Sequence, residues 1–341
     1  MNAPAQKQPA ELLSVENFPE PRFKLTAWDN ISFSDQRDYL VKGILPLRGL
    51  ALAYGAKKCG KSFWALDISA HIAAGWEYRG RRVQQRAVVY VAAEGGFGFG
   101  RRVGGFRQRY EGKGFEFYLI TTRPSLVRDH KQLVAEIQKQ LPNIEPGLVV
   151  LDTLNRTLEG SEGKDEDMAA FIQAAGMIED TFKCCVLVVH HSGLEAGRPR
   201  GHTSLSAAAD VQIAVTRDGA ENVVATVELA KDSEAGATIV SRLESVEIGI
   251  DPDGDPITTC VVVPTDTSQQ GATEPSLTKN QQTMFAVLHS AGRPISTEEW
   301  NTRAREAGLG LTRKADLYDL RSALASKHRV TETGMGWIIK L

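Results

Sequence analysis

One octapeptide constrains this chain more than any other feature. Gly55-Ala56-Lys57-Lys58-Cys59-Gly60-Lys61-Ser62 satisfies the pattern G-x-x-x-x-G-K-[ST]. It lies between an apolar run, Leu50-Ala51-Leu52-Ala53-Tyr54, and a segment, 62–74, that reads as a helix closed by Gly75. Phosphate binding demands that order. Glycines let backbone N–H groups converge on phosphate oxygens, and the helix N-terminus adds its positive end. Lys61 brings a charge to the β- and γ-phosphates, and the Ser62 hydroxyl is a ligand for Mg²⁺. The expected cradle runs from Gly55 through Phe63, with Ala56, Lys57, Lys58, Cys59 and Gly60 between the anchoring residues. Cys59 is a loop variable, or a reactive thiol near a helix N-terminus.

The surrounding pattern fixes the fold class. Apolar runs at 87–92, 117–120, 148–151 and 185–189 alternate with helical patterns at 99–110, 130–141 and 166–182. Strands that are apolar throughout, alternating with helices, imply a mostly parallel sheet covered on both faces: an α/β fold. After Ala208 the texture becomes strand-rich, at 211–216, 223–229, 241–248 and 258–263. The turn Asp251-Pro252-Asp253-Gly254-Asp255 separates the last two. These are expected to extend the same sheet as antiparallel strands.

Two carboxylates and a histidine pair fall where strands end. Leu148-Val149-Val150-Leu151 delivers Asp152, which is expected to hold Mg²⁺ with Ser62, because ligands of open α/β sheets gather at the carboxyl ends of the strands. The next residue is Thr153, so no base directly follows Asp152. Glu94 closes the run that begins at Ala87 and precedes Gly95-Gly96. A general base there must reach the water that attacks the γ-phosphate. His190 and His191 end a further core strand, and either can sense the γ-phosphate, with His191 favoured.

Charge and composition set the outer limits. The chain of 341 residues carries a formal charge of −2, so nucleic acid would have to meet a local patch rather than a polycation. No apolar run approaches a bilayer span, and the N-terminus lacks the pattern of a secretory signal. Four cysteines, two of them adjacent, are too few for a disulfide scaffold, and no Cys/His spacing suggests zinc. These features predict a cytoplasmic protein with no membrane partner.

The motifs GAKKCGKS, AAEGG, VVLDT, VVHHSG and RGHTSL, in this order, resemble those of the RepA-like ATPases, plasmid and phage hexameric replicative helicases related to DnaB and RecA. The resemblance covers roughly 39–231. It implies a RecA-like core that binds ATP and Mg²⁺ between neighbours in a homo-oligomeric ring and acts on single-stranded DNA. RecA-like ATPases carry the glutamate that activates water at the position of Glu94. The family's arginine that reaches the adjacent subunit's ATP matches Arg200, with Arg198 as its rival. A lysine on a later strand often joins it, and Lys231 fits, although the second basic position is here Ser233. Arg198, Arg200 and His202 could also meet DNA phosphates.

The expected organisation has four parts: a flexible arm at 1–35, the RecA-like ATPase domain at 36–264, a polar linker at 265–276, and a small unit at 277–341. That last unit reads as three helices and a terminal hairpin, a winged helix-turn-helix. It carries ten Lys and Arg against six Asp and Glu. Arg313, Lys314 and Arg321 are its candidate DNA contacts, on or beside the third helix. The compact RepA pattern lacks such a unit. An ATP-dependent DNA-binding regulator or helicase loader is therefore the alternative to a replicative helicase.

Overall fold

A computed structural model describes residues 25–31, 37–94, 96–111, 114–193, 198–231, 234–265, 277–310, 315–326, 330–334 and 336–339. The chain divides into two compact units, Met1–Asp38 and Tyr39–Leu341. In the first, a single helical turn spans Trp28–Asn30.

The second unit opens with a small antiparallel pair, β1 (Tyr39–Val41) and β2 (Leu45–Pro46). Next come β3 (Gly49–Gly55), α1 (Lys61–Ala74), β4 (Ala87–Ala92), α2 (Gly96–Tyr110), β5 (Phe117–Ile120) and α3 (Leu126–Gln140). The chain continues through β6 (Pro146–Asp152), α4 (Leu154–Thr157), α5 (Asp165–Phe182), β7 (Cys185–His191) and α6 (Thr203–Ala208). Four more strands follow: β8 (Val211–Arg217), β9 (Val223–Ala230), β10 (Thr238–Ile250) and β11 (Pro256–Pro264).

Strands β3 to β11 form one sheet in the order β11-β10-β9-β8-β3-β7-β6-β4-β5. From β8 to β5 along that order every pairing is parallel, and from β8 outward to β11 every pairing is antiparallel. The extension strands therefore continue the main sheet, as the sequence predicts. Alternation along each central strand feeds two layers. Ala51 and Ala53 join Trp64, Ile68 and Ile72 of α1 on one face. Leu50, Leu52 and Tyr54 join Leu133 and Ile137 of α3 and Phe171 and Ile178 of α5 on the other. Each large apolar side chain buried this way contributes about 1.5–3 kcal/mol.

Helix α1 is buried almost all round because it has partners on two sides. It packs on the sheet and also against β11, which returns over it together with α2. The approach is close: Tyr110 of α2 donates its hydroxyl to the Val262 carbonyl at 2.8 Å, and a Cβ at Gly105 would collide with Thr259. The buried face of α1 carries Asp67 and His71, which Arg79 and a ring of aromatic side chains enclose.

Residues 277–339 build a separate cluster from α7 (Lys279–Ala291), α8 (Thr297–Glu306), α9 (Ala315–Ser326) and the hairpin β12 (Val330–Thr333)–β13 (Gly336–Ile339). Met284, Leu288, Trp300, Leu317 and Leu324 fill its core, and the Trp300 indole donates to the Met284 carbonyl at 2.9 Å. Thr278 and Gln281 form a capping box that starts α7.

Candidate nucleotide site

Strand register brings the sequence-predicted residues to one rim of the sheet. Gly55 pairs with His191, Asp152 with Val189, and Ala92 with Asp152. The carboxyl ends of β3, β7, β6 and β4 therefore lie side by side, with the phosphate loop, His191, Asp152 and Glu94 along one edge. One strand, β7, separates the loop strand β3 from the Asp152 strand β6.

The loop is shaped by two glycines. Gly60 sits at φ +103°, and a Cβ there would lie 2.8 Å from Val223. A Cβ at Gly55 would run into the Val215 carbonyl. Gly60 stands at the N-terminus of α1 with no side chain to cap it, so the first-turn N–H groups face the loop. Lys61, only 5% exposed, reaches back across the loop and donates to the carbonyls of Gly55 (3.0 Å) and Ala56 (2.7 Å). Burial lowers its pKa, partly opposed by Cys59, Asp152 and Glu94. Cys59 is buried and donates its thiol to the Val215 carbonyl at 3.0 Å, which makes it a packing residue between the loop and β8. Phe63 lies under the guanidinium of Arg102, 4.6 Å from its ring centroid.

Asp152 is 1% exposed and held from two sides. Ser62 Oγ donates to Oδ1 at 3.1 Å, and Tyr90 Oη donates to Oδ2 at 2.7 Å. Burial pushes its carboxyl up from the ordinary value, while the Tyr90 and Ser62 hydrogen bonds pull it back. A hydroxyl and a carboxylate oxygen this close are the hard donors that Mg²⁺ takes, so Ser62 and Asp152 fit that ion.

Glu94 is exposed and anchored at one end. Its N–H donates to the Asp152 carbonyl at 3.1 Å, and Thr153 Oγ1 donates to its Oε2 at 3.0 Å. His191 Nε2 lies 4.0 Å from the same oxygen. Burial and the Lys61 charge lower the His191 pKa, which favours the neutral ring. His190 plays a different part: it is fully buried, and its Nε2 donates to the Arg200 carbonyl at 2.7 Å. Thr153, Tyr90 and Arg102 were not singled out by the sequence. Thr153 was legible only as the residue after Asp152, and Tyr90 only as one more apolar-strand position.

The remaining candidates lie elsewhere. Arg200 is half exposed, with Nε 3.0 Å from Glu162 Oε2, and Arg198 is exposed. His202 caps α6, its Nδ1 accepting from Ser204 N, and the same nitrogen lies 3.0 Å from Asp165 Oδ1. Lys231 binds Asp210 at 2.8 Å at the opposite end of the sheet from the phosphate loop of its own chain, since Asp210 also accepts from Leu50 at the start of β3. Arg321 points inward: it is 8% exposed and donates to Asn301. Arg313 and Lys314 lie outside the described residues.

This sheet order, phosphate loop and carboxylate pair define a P-loop ATPase. A family profile described as AAA domain (AAA_25) matches residues 18–197, more than half of the chain, and the chain belongs to that family. No match to a curated protein sequence is found. Among solved structures, the RadB recombinase is similar at 21% identity and a TM-score of 0.42, over 57% of this chain and 87% of that one. The KaiC-like protein PH0186 from Pyrococcus horikoshii OT3 is similar at 13% identity and a TM-score of 0.43, over 66% and 94%. Among the described residues no helix is long and apolar enough to cross a membrane.

Proposed function

We propose that this ATPase is a RecA-like motor of the RepA-like replicative helicase type, working as a ring on single-stranded DNA. The observation that carries the chemical half of this reading is the convergence on Glu94. Its carboxylate stands at the same rim as Ser62 and Asp152 and is held there by Thr153. In this reading the loop N–H groups and Lys61 bind the phosphates, and Ser62 and Asp152 hold Mg²⁺. When bound, the ion neutralises charge on the β- and γ-phosphates. Glu94 Oε2 accepts a proton from the attacking water. His191 lies next to both Glu94 and Gly55, which supports reading it as the group that senses the γ-phosphate and passes its loss to the segment that follows β7.

The DNA half rests on the ordered motif set and on the basic residues beyond His191: Arg198, Arg200 and His202. Arg200 and Lys231 serve the neighbour's nucleotide in a ring. Steady-state ATP hydrolysis with and without single-stranded DNA tests the whole. Stimulation by single strands, lost in Lys61→Ala and Glu94→Gln, is expected. Slow hydrolysis indifferent to single strands removes the helicase reading.

A second reading is favoured by one observation, the self-contained helical cluster at 277–339 with its hairpin. If this is a winged helix on duplex DNA, the protein is a regulator or loader. Sequence-specific duplex binding should then survive Lys61→Ala.

A further inference from the structure

Glu162 is a carboxylate that the chemistry above does not use, and it is buried to 8% exposure in the turn between α4 and α5. Its partners belong to the two segments that leave the nucleotide rim. Asn155 of α4, three residues beyond Asp152, donates to its Oε1 at 2.7 Å. Its backbone carbonyl accepts from His202 N at 2.7 Å. Gly201, at φ +94°, lies so close that a Cβ there would sit 2.5 Å from that carbonyl oxygen. The Arg200 backbone is held as well, by His190 on its carbonyl and by its own N–H on the His191 carbonyl at 2.9 Å.

Against this fixed backbone, the Arg200 side chain is loosely engaged. Its Nε stands 3.0 Å from Glu162 Oε2, yet among the described residues that oxygen has no aligned hydrogen-bond donor, and the guanidinium is half exposed. The attraction is thus one of charge, without the paired geometry of a bidentate clamp. A partner whose oxygens offered that geometry, such as a phosphate, could take the guanidinium from the carboxylate.

We propose that Glu162 is an internal competitor for Arg200, a carboxylate that occupies the guanidinium until a phosphate displaces it. This rests on the reading that Arg200 meets a phosphate, either of a neighbour's nucleotide or of a DNA strand. Because Asn155 stands in α4, three residues beyond the end of the Asp152 strand, the contact ties the release of Arg200 to the nucleotide rim.

The test uses the full chain as wild type, Glu162→Gln, Arg200→Gln and the double variant, titrated separately with fluorescent oligo(dT) and with a fluorescent ATP analogue. Glu162→Gln is expected to tighten at least one of these by about fivefold, the range of a partly exposed ion pair. The gain should vanish in the Arg200→Gln background. Trypsin should cut the Arg200–Gly201 bond faster in Glu162→Gln than in wild type at equal thermal stability. Should Glu162→Gln fail to fold, Glu162→Asp, which withdraws the charge by one methylene, is expected to give a smaller gain of the same sign.

Unchanged affinity for both ligands in the folded variants, or a gain that persists without Arg200, overturns the proposal. Tightening of the ATP analogue alone, with no oligo(dT) binding in any variant, supports the competitor and instead refutes the single-strand reading.

Discussion

At the scale of single residues, the chemistry depends on who holds Glu94. Its carboxylate is exposed, and among the described residues Thr153 and the nearby His191 are what fix Oε2. Thr153→Val keeps the shape and removes the hydroxyl. A hydrogen bond to a charged group contributes about 1.5–3 kcal/mol, so kcat should fall roughly tenfold or more while KM for ATP stays put. An unchanged kcat would show that Glu94 is positioned by something else. Asp152→Asn should act on a different parameter. It removes a charge from the Ser62–Asp152 pair, and the Mg²⁺ concentration at half-maximal activity should rise. Both carboxylates were legible in the sequence because strand ends carry ligands in α/β sheets. Thr153 and Tyr90 were not, since their roles depend on which side chains face each other across β4 and β6, and a single strand's pattern does not contain that.

At the scale of elements, the parallel core was readable because β3, β4, β6 and β7 are apolar until their carboxyl ends, where β6 closes on Asp152 and β7 on His190 and His191. What covers α1 was not. Its sequence shows a helix apolar on every side with Asp67 and His71 inside it, and only the return of β11 and α2 explains how those groups are enclosed. Arg79, from the turn before β4, reaches Asp67 at 2.7 Å and Ser241 of β10 at 3.4 Å, tying three elements together. Burial pushes the Asp67 carboxyl up to about 7 even beside Arg79, so in Arg79→Met it takes up a proton, and the lost hydrogen bond should cost about 1–3 kcal/mol. Replacing both, Asp67→Leu with Arg79→Met, should recover most of that loss in urea denaturation.

The same helix gives a pH prediction. Burial lowers the His71 pKa from 6.5 to about 4, and Nδ1 donates to the Asp67 carbonyl at 2.8 Å, so the folded ring is neutral. The unfolded ring takes up a proton first as pH falls. The stability from this group is whole above pH 6.5 and is lost progressively down to pH 4. Relative to wild type, His71→Leu should therefore lose about 2 kcal/mol less between about pH 7.5 and pH 5. Equal losses in both proteins would place the acid sensitivity elsewhere.

At the scale of the whole molecule, the arrangement turns on whether each site is completed by a second copy. Within one chain the rim supplies Lys61, Ser62, Asp152 and Glu94, but Arg200 is engaged with Glu162, and Lys231 lies at the far end of the sheet. A head-to-tail ring would bring both into use by presenting them to a neighbour, and mixing variants distinguishes the cases. Lys61→Ala and Arg200→Ala should each be inactive alone. If Arg200 acts across an interface, a one-to-one mixture regains activity wherever an intact loop meets an intact arginine. Random mixing places about a quarter of the interfaces in that state. If Arg200 serves its own chain, every subunit in the mixture remains defective and no activity returns. Exchange must be established first, by dissociating and reassembling the mixture, because rings that never trade subunits would also stay silent. Recovery near a quarter of the wild-type rate would identify Arg200 as the residue that completes the neighbour's site. It would also mean that the Glu162 contact has to break each time a subunit engages its neighbour.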